Sequence, residues 1–223
     1  MHRDLFLLLF FPNNVRCLEP TTEDRYYYPE TDAFAYEKKQ INTGNYTDLY
    51  VGFQKIEGSG DVRSVIKFDL SEIPENTGVI KASLCVCVSD ENTPFNYPSI
   101  GAYKAPNPWD ESSLTWSQLD PKGAKIHKSS FISGRPGSVP DLYYWDITDM
   151  VQSWVNGSPN YGVVLTIDSK GFNDYIRLNS CENPTFKPNL NVIYTPPARP
   201  LNHPELSENS PAEPVAMKID DPN

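Results

Sequence analysis

From Ala33 to Thr195 the chain alternates short apolar runs with clusters of Pro, Gly, Asn and Asp. Short runs of apolar and β-branched residues bounded by turn formers predict β-strands. Eight segments fit this pattern: residues 49–53, 62–70, 79–88, 100–105, 142–147, 161–168, 175–179 and 190–195. Many short strands with evenly spaced turns predict an all-β fold, and we expect a jelly-roll β-sandwich of about eight or nine antiparallel strands.

The longest of these segments, residues 79–88, alternates as a strand with one buried face does. One face of the predicted strand carries Ile80, Ala82, Leu84, Val86 and Val88. The opposite face carries Lys81, Ser83, Cys85 and Cys87. Because adjacent strand residues point to opposite sides of a sheet, we expect the first set to line the core.

Residues 148–155 break the strand pattern, because Ile147, Val151 and Trp154 recur at helical spacing. Thr148 is placed to cap the first turn, and Gly157 is placed to end the helix. The sequence therefore predicts one short helix of about two turns that closes one end of the sandwich.

The N-terminal segment has the pattern of an export signal. Residues 5–11 are apolar and follow a short basic stretch, so residues 1–19 are predicted to be a signal segment. This apolar run is too short to span a bilayer, which needs about 20 such residues. Two N-glycosylation sequons, at Asn45 and Asn156, agree with export. We therefore expect a secreted or cell-surface protein.

The C-terminal segment, residues 196–223, is rich in Pro and has few large apolar side chains. Little apolar burial is available to offset the entropy of ordering this segment, so a disordered, semi-extended tail is predicted. The interpretation leaves residues 20–195 as one folded β-sandwich domain.

The 223 residues include 12% aromatic residues and carry a formal net charge of −10. The aromatic content is sufficient for a substantial core and argues against global disorder. An acidic chain has no general attraction for nucleic acid, so we expect no nucleic-acid partner.

The cysteines give little evidence of a metal site or a disulfide framework. Cys85 and Cys87 share one strand face about 6–7 Å apart, which is too far for an easy disulfide. Because no second cysteine pair or neighbouring His accompanies them, two buried thiols are the expected state. A disulfide between Cys181 and one of these two stays open.

The residues needed for common catalytic mechanisms are scarce. Of the three histidines only His127 lies in the predicted domain, and no G-x-S-x-G or H-E-x-x-H motif occurs. No glycine-rich phosphate loop occurs either. Carboxylates are abundant, but the sequence singles out no pair of the kind a glycosidase uses. We therefore expect no catalytic residues and no enzymatic activity.

Two features are candidates for ligand binding. A basic segment in this acidic chain carries Lys122, Lys125 and Lys128, with Arg135 in the turn that follows. Polar insertions between strands often bind ligands, and these side chains can donate charge-assisted hydrogen bonds to an anionic polysaccharide. An exposed Trp109 would offer a ring on which a sugar could stack. The alternatives are a solvated loop and an indole that fills the core.

Several segments, in order, resemble the DNRLRE domains, which comprise the family 96 carbohydrate-binding modules and the disaggregatase-related domains. The matching segments are RSVIKFDLSEIP (63–74), IKASL (80–84), WDESSLTW (109–116), DITDMVQSW (146–154), NYG (160–162), SCE (180–182) and PNLNVIY (188–194). The resemblance spans nearly all of the predicted domain. It implies a jelly-roll sandwich in a secreted or surface protein, with Phe68, Trp116, Trp154 and Tyr194 in the core.

The resemblance implies a non-catalytic domain that binds surface or matrix polysaccharide, including acidic polysaccharide. Two alternatives are a structural or adhesive module of the cell envelope without sugar specificity, and a disaggregatase-like enzyme that degrades polysaccharide. Neighbouring surface proteins would be further partners. No cofactor is expected, although a structural Ca²⁺ is compatible with oxygen-rich turns between strands.

Overall fold

A computed structural model describes residues 21–54, 60–89, 99–121, 127–128, 130–132, 142–167 and 174–197. These residues form strands β1 (Glu23–Tyr27), β2 (Pro29–Tyr36), β3 (Asp48–Gln54), β4 (Gly60–Phe68), β5 (Gly78–Cys87), β6 (Ile100–Lys104), β7 (His127–Lys128), β8 (Ser130–Ile132), β9 (Leu142–Asp146), β10 (Val163–Ile167), β11 (Tyr175–Asn179) and β12 (Asn189–Thr195). They also form helix α1 (Thr148–Val155) and a 3₁₀ helix, Trp116–Leu119.

The strands form two antiparallel sheets. The first sheet has the order β1-β12-β5-β9-β8. The second has the order β11-β3-β4-β10-β6-β7, with β2 also paired to β4. Because each strand turns alternate residues inward, the two sheets bury one shared core that includes Phe34, Phe68, Leu84, Trp145, Leu165 and Val192. The all-β sandwich predicted from the sequence is therefore confirmed.

All eight predicted strands are present, and α1 covers the predicted residues 148–155. The structure has more strands than expected, because β1, β2, β7 and β8 were not predicted. β1 is largely polar and exposed, whereas β7 and β8 have two and three residues. In β2 consecutive residues are buried, because one face of the strand packs against the main core and the other against a second apolar cluster. Apolar and polar residues therefore do not alternate along this strand.

The prediction for Ile80 is wrong, since its side chain is 55% exposed. The register of β5 against β12 shifts here, because Lys81 pairs with Ile193 but Val79 pairs with Tyr194. The extra residue is a β-bulge, which reverses the alternation beyond it. Val79 therefore packs against the core, and Ile80 faces solvent.

Helix α1 closes one end of the sandwich and buries Trp154, as predicted. Thr148 does not cap it, because Ile147 occupies the N-cap position. The Thr148 hydroxyl instead accepts the Ala82 N–H and donates to Asp146, which ties the helix to β5. No helix in the described part of the chain is both long and apolar enough to cross a membrane.

The helix ends at Val155, and Gly157 terminates it from the position after the C-cap residue Asn156, as predicted from the sequence. The Gly157 N–H donates to the Trp154 carbonyl, and the Ser158 N–H donates to the Ser153 carbonyl. This pattern is a Schellman motif, and Gly157 has the left-handed φ of 94° that the motif requires.

The outer face of the second sheet is covered by residues 105–121. The apolar side chains beneath this segment form a second cluster that includes Ala33, Val65, Leu114, Leu119 and Val164. Trp116 packs against this cluster and is only partly buried, so its expected place between the two sheets is wrong. Among the described residues, no such segment covers the outer face of the first sheet, and an open groove lies on this face.

Candidate functional site

The outer face of the first sheet carries an open groove with a volume of about 470 Å³. Its lining includes Tyr26, Lys81, Ser83, Cys85, Tyr144, Phe186, Lys187, Asn189 and Asn191. This volume lies within the range of about 300–1,000 Å³ that is usual for small-molecule sites. The groove is therefore large enough to hold part of an extended ligand.

The register of four strands brings these groove residues together. Asn191 pairs with Tyr26 of β1 on one side and with Ser83 of β5 on the other. In the next row Cys85 lies between Asn189 of β12 and Tyr144 of β9. Neighbours across a strand pair have Cβ atoms about 5 Å apart, so each row presents adjacent side chains to one ligand.

Two of the aromatic side chains in the groove are open to solvent. Tyr26 is 64% exposed and Phe186 is 50% exposed. The Asn183 side chain accepts hydrogen bonds from the backbone N–H groups of Thr185 and Phe186, while Asn179 donates to the Phe186 carbonyl. These contacts fix the loop that presents the Phe186 ring, so the loop needs little ordering when a ligand binds.

The ring of Tyr144 and the buried side chain of Cys85 form part of the groove floor. A hydrogen bond with the Cys85 side chain, reinforced by burial, raises the pKa of Tyr144 to about 12. Burial also raises the pKa of the Cys85 thiol. Both groups are therefore protonated near neutral pH, and they act as hydrogen-bonding groups rather than as a thiolate nucleophile.

The charge of the groove is opposite in sign to that of the whole chain. Its lining contains Lys81 and Lys187 but no Asp or Glu, although the chain has a net charge of −10. Neither lysine forms an ion pair with any residue that the structure describes. Two acidic residues lie beside the groove: Asp24 accepts a hydrogen bond of 2.5 Å from the Asn191 side chain, and Asp146 pairs with Ser83 across the β5–β9 strands. The lining itself therefore carries positive charge within an acidic chain.

None of the residues predicted from the sequence is among the described residues that line the groove. Lys122, Lys125 and Arg135 lie outside the described residues, and Lys128 is described only through its backbone in β7. Trp109 lies on the other side of the molecule, over the second cluster, where its ring is partly buried and its Nε1–H donates to the Tyr161 carbonyl at 2.7 Å. The role of these five residues in binding stays a prediction.

Strand pairing places one residue of the basic segment, Lys128, near the start of a strand of the first sheet. Lys128 pairs with Gly101 at the edge of the second sheet, and Ser130 pairs with Tyr144 at the edge of the first. The chain therefore crosses between the sheets immediately after Lys128 and enters the sheet that carries the groove. Sequence reasoning missed the groove residues themselves, although the outward positions of residues 79–88 pointed to this face.

A separate cluster of side chains could hold a metal ion. Ligand atoms of Asp32, Cys181 and Glu182 all lie within 4.8 Å of one another. Burial raises the pKa of Asp32 to about 7. A hydrogen bond from the Cys181 backbone N–H opposes this shift, whereas repulsion from Glu182 and Glu111 adds to it. Ca²⁺ prefers six to eight oxygen ligands, so the thiol makes this set a poor match for the Ca²⁺ considered from the sequence.

The cysteines are free thiols in the part of the chain that the structure describes. Cys85 and Cys87 are buried, as expected, and neither forms a disulfide with Cys181. The bridge to Cys181 that the sequence left open is therefore not formed. The position of Cys85 in the groove floor therefore does not depend on a disulfide among these three residues.

The structure is a β-sandwich domain with a groove of polar and aromatic side chains on the outer face of one sheet. Residues 23–194 match carbohydrate-binding module family 96, which covers well over half of the chain. The chain therefore belongs to carbohydrate-binding module family 96.

Curated relatives include the tRNA nuclease WapA of Bacillus subtilis strain 168 and the tRNA3(Ser)-specific nuclease WapA of Bacillus spizizenii. Each is 27% identical to this chain over 171 residues, which is 76% of the chain. The matched region is only 7% of each relative's length, so the chain is similar to one small part of those proteins.

Proposed function

We propose that this protein is a non-catalytic domain that binds polysaccharide, including acidic polysaccharide, along the outer face of its first sheet. The observation that carries the proposal is a groove with three aromatic side chains and two lysines, and with no carboxylate in its lining, in a member of a carbohydrate-binding family. In this proposal the groove is the primary site.

The side chains of the groove match the chemical features of a sugar chain. The rings of Tyr26, Tyr144 and Phe186 can contact the apolar C–H faces of sugar residues. Asn189 carries a carboxamide that can donate and accept hydrogen bonds with hydroxyl groups. A uronic acid or sulfated sugar adds a charge-assisted hydrogen bond with Lys81 or Lys187.

The basic segment is proposed as a second contact region for the same ligand. In the sequence Lys122, Lys125 and Lys128 precede β8 and Arg135 follows it, and β8 pairs with the strand that carries Tyr144. A long anionic chain in the groove could extend toward these residues. Trp109 faces a different side and would contact a separate part of a ligand.

A secreted or cell-surface location is part of the proposal, with polysaccharide and neighbouring surface proteins as partners. It is supported by the apolar segment at residues 5–11, the two sequons and the family. Both sequon asparagines, Asn45 and Asn156, are exposed in the structure. The nuclease activity in the relatives' names is not carried over, because the chain matches only 7% of those proteins.

Affinity electrophoresis and calorimetry with polygalacturonate, and with the neutral polymer xyloglucan as the comparison, test the proposal. The double variant Lys81→Ala/Lys187→Ala is expected to weaken polygalacturonate binding by about tenfold. The control is Lys38→Ala, which removes an exposed lysine that follows β2 of the other sheet. Retained affinity in the double variant would remove the groove from the proposal, and no binding to a panel of acidic and neutral polysaccharides would contradict the function.

A further inference from the structure

A second concavity lies at the end of the sandwich, between the C-terminal end of α1 and the loop that joins β4 to β5. Its volume is about 660 Å³, which exceeds that of the groove. It shares no lining residue with the groove, so a ligand there would not depend on the proposed function.

The floor of this end pocket is apolar and rigid. It is formed by Phe68, Ile73 and Trp154, which are at most 7% exposed and belong to the main core. Each side of the pocket is held by its own hydrogen bonds. In the β4–β5 loop the Asp69 side chain accepts the Ser71 N–H, and at the other side the Schellman motif at Gly157 fixes the end of α1. The half-buried side chains of Leu70 and Val155 also line the pocket, and they add apolar surface that can contact the C–H face of a sugar residue. A preformed site of this kind loses little entropy on binding.

The rim of the end pocket is negatively charged. Glu30, Asp69 and Glu75 line it, and Lys67 is the one basic residue in the lining, so the formal charges sum to −2. Lys67 is paired with Glu30 at 3.0 Å and also exerts a weaker electrostatic attraction on Asp69, so the rim keeps a net negative charge. The hydrogen bond from the Ser71 backbone holds the pKa of Asp69 below its ordinary value, so this carboxylate stays ionised in mildly acidic solution.

We propose that the end pocket is a second binding site that takes an amino sugar with a free ammonium group, such as a glucosamine residue at the end of a chain. The apolar floor contacts the ring, while Asp69 and Glu75 accept hydrogen bonds from the ammonium group and the neighbouring hydroxyls. Its preference is opposite to that of the groove, where two lysines and no carboxylates line the surface.

Calorimetry of the full chain at pH 6 with three trisaccharides tests this proposal. The probes are the trimer of glucosamine, its N-acetylated counterpart and the trimer of galacturonic acid. We expect the glucosamine trimer to bind this pocket best, because only its ammonium groups pair with the carboxylates. The double variant Asp69→Asn/Glu75→Gln is expected to weaken that binding by about tenfold.

Two controls separate this site from general attraction to an acidic chain and from the groove. Glu37→Gln removes an exposed carboxylate outside the pocket, and Lys81→Ala alters the groove. Both variants are expected to bind the glucosamine trimer as the wild type does. Any one of three results would overturn the proposal: equal binding of the N-acetylated trimer, unchanged binding in the double variant, or no binding of the glucosamine trimer. These results leave polygalacturonate binding in the groove unaffected, so the two proposals fail separately.

Discussion

The guanidinium group of Arg63 lies over the indole ring of Trp116, with its central carbon 4.0 Å from the ring centroid. The same guanidinium group donates to Asp120 at 3.3 Å. Arg63 belongs to β4, whereas Trp116 and Asp120 belong to the segment that covers the second sheet. This stacked pair therefore fastens the covering segment to the sheet.

Replacing Trp116 by Ala is expected to lower the free energy of unfolding by about 2–4 kcal/mol, because it removes both the stacking partner of Arg63 and part of the second cluster. Urea denaturation measures the change. Trp116→Phe keeps a ring over the cluster and is expected to lose about 1 kcal/mol. A Trp116→Ala variant as stable as the wild type would contradict the fastening role.

Gly162 cannot be replaced without strain, since it has a φ of +93° and a Cβ there would lie 2.4 Å from the Ile66 carbonyl oxygen. Gly162→Ala is therefore expected to lower the free energy of unfolding by about 2–4 kcal/mol. Gly78 is the matched control, because a Cβ at that position meets no atom within 4 Å and no left-handed φ is required. Gly78→Ala should stay within about 0.5 kcal/mol of the wild type, and equal losses at both positions would refute this explanation.

Tyr26 and Tyr28 provide a matched test of the groove. Their exposed fractions are nearly equal, 64% and 62%, but only Tyr26 lines the groove. Tyr26→Ala is expected to weaken polygalacturonate binding by about fivefold, whereas Tyr28→Ala should bind as the wild type does. Calorimetry of both variants distinguishes a specific contact from a general loss of surface aromatics, which would affect the two equally.

Glu23 gives a prediction about pH. A hydrogen bond from the Tyr194 hydroxyl at 2.9 Å, together with contacts from Arg25, holds the pKa of Glu23 below its ordinary value. An acid with a lowered pKa in the folded state stabilises the fold above its unfolded pKa, and this contribution is lost as the pH falls through the folded pKa. NMR titration of Tyr194→Phe should show the Glu23 pKa moving upward, toward its value in an unfolded chain. An unchanged pKa would assign the effect to Arg25 instead.

The core was predictable from the sequence because burial enforces alternation along each strand. Leu84 and Val86 face inward, as the pattern of residues 79–88 requires. Ile80 was not predictable, since the bulge that turns it outward depends on pairing with β12. Trp116 was misplaced for a similar reason, because a sequence pattern does not distinguish a ring between two sheets from one that covers an outer face.

The groove was less accessible to sequence reasoning than the core. Tyr26, Lys81, Tyr144 and Phe186 lie far apart in the chain and become neighbours only through strand order and register. None of them belongs to a compact motif. The basic segment could be found from the sequence because its lysines are close together along the chain. The groove residues are close together only in the folded protein.

β1 and β12 are antiparallel neighbours, and Glu23 at the start of the domain pairs with Tyr194 near its end. The flanking segments therefore leave from adjacent points at one end of the first sheet. If tension is applied through those segments, it loads the β1–β12 hydrogen bonds one pair at a time instead of all together in shear. The domain would thus begin to open at Glu23, and β1, which carries Tyr26 of the groove, would be the first strand to separate.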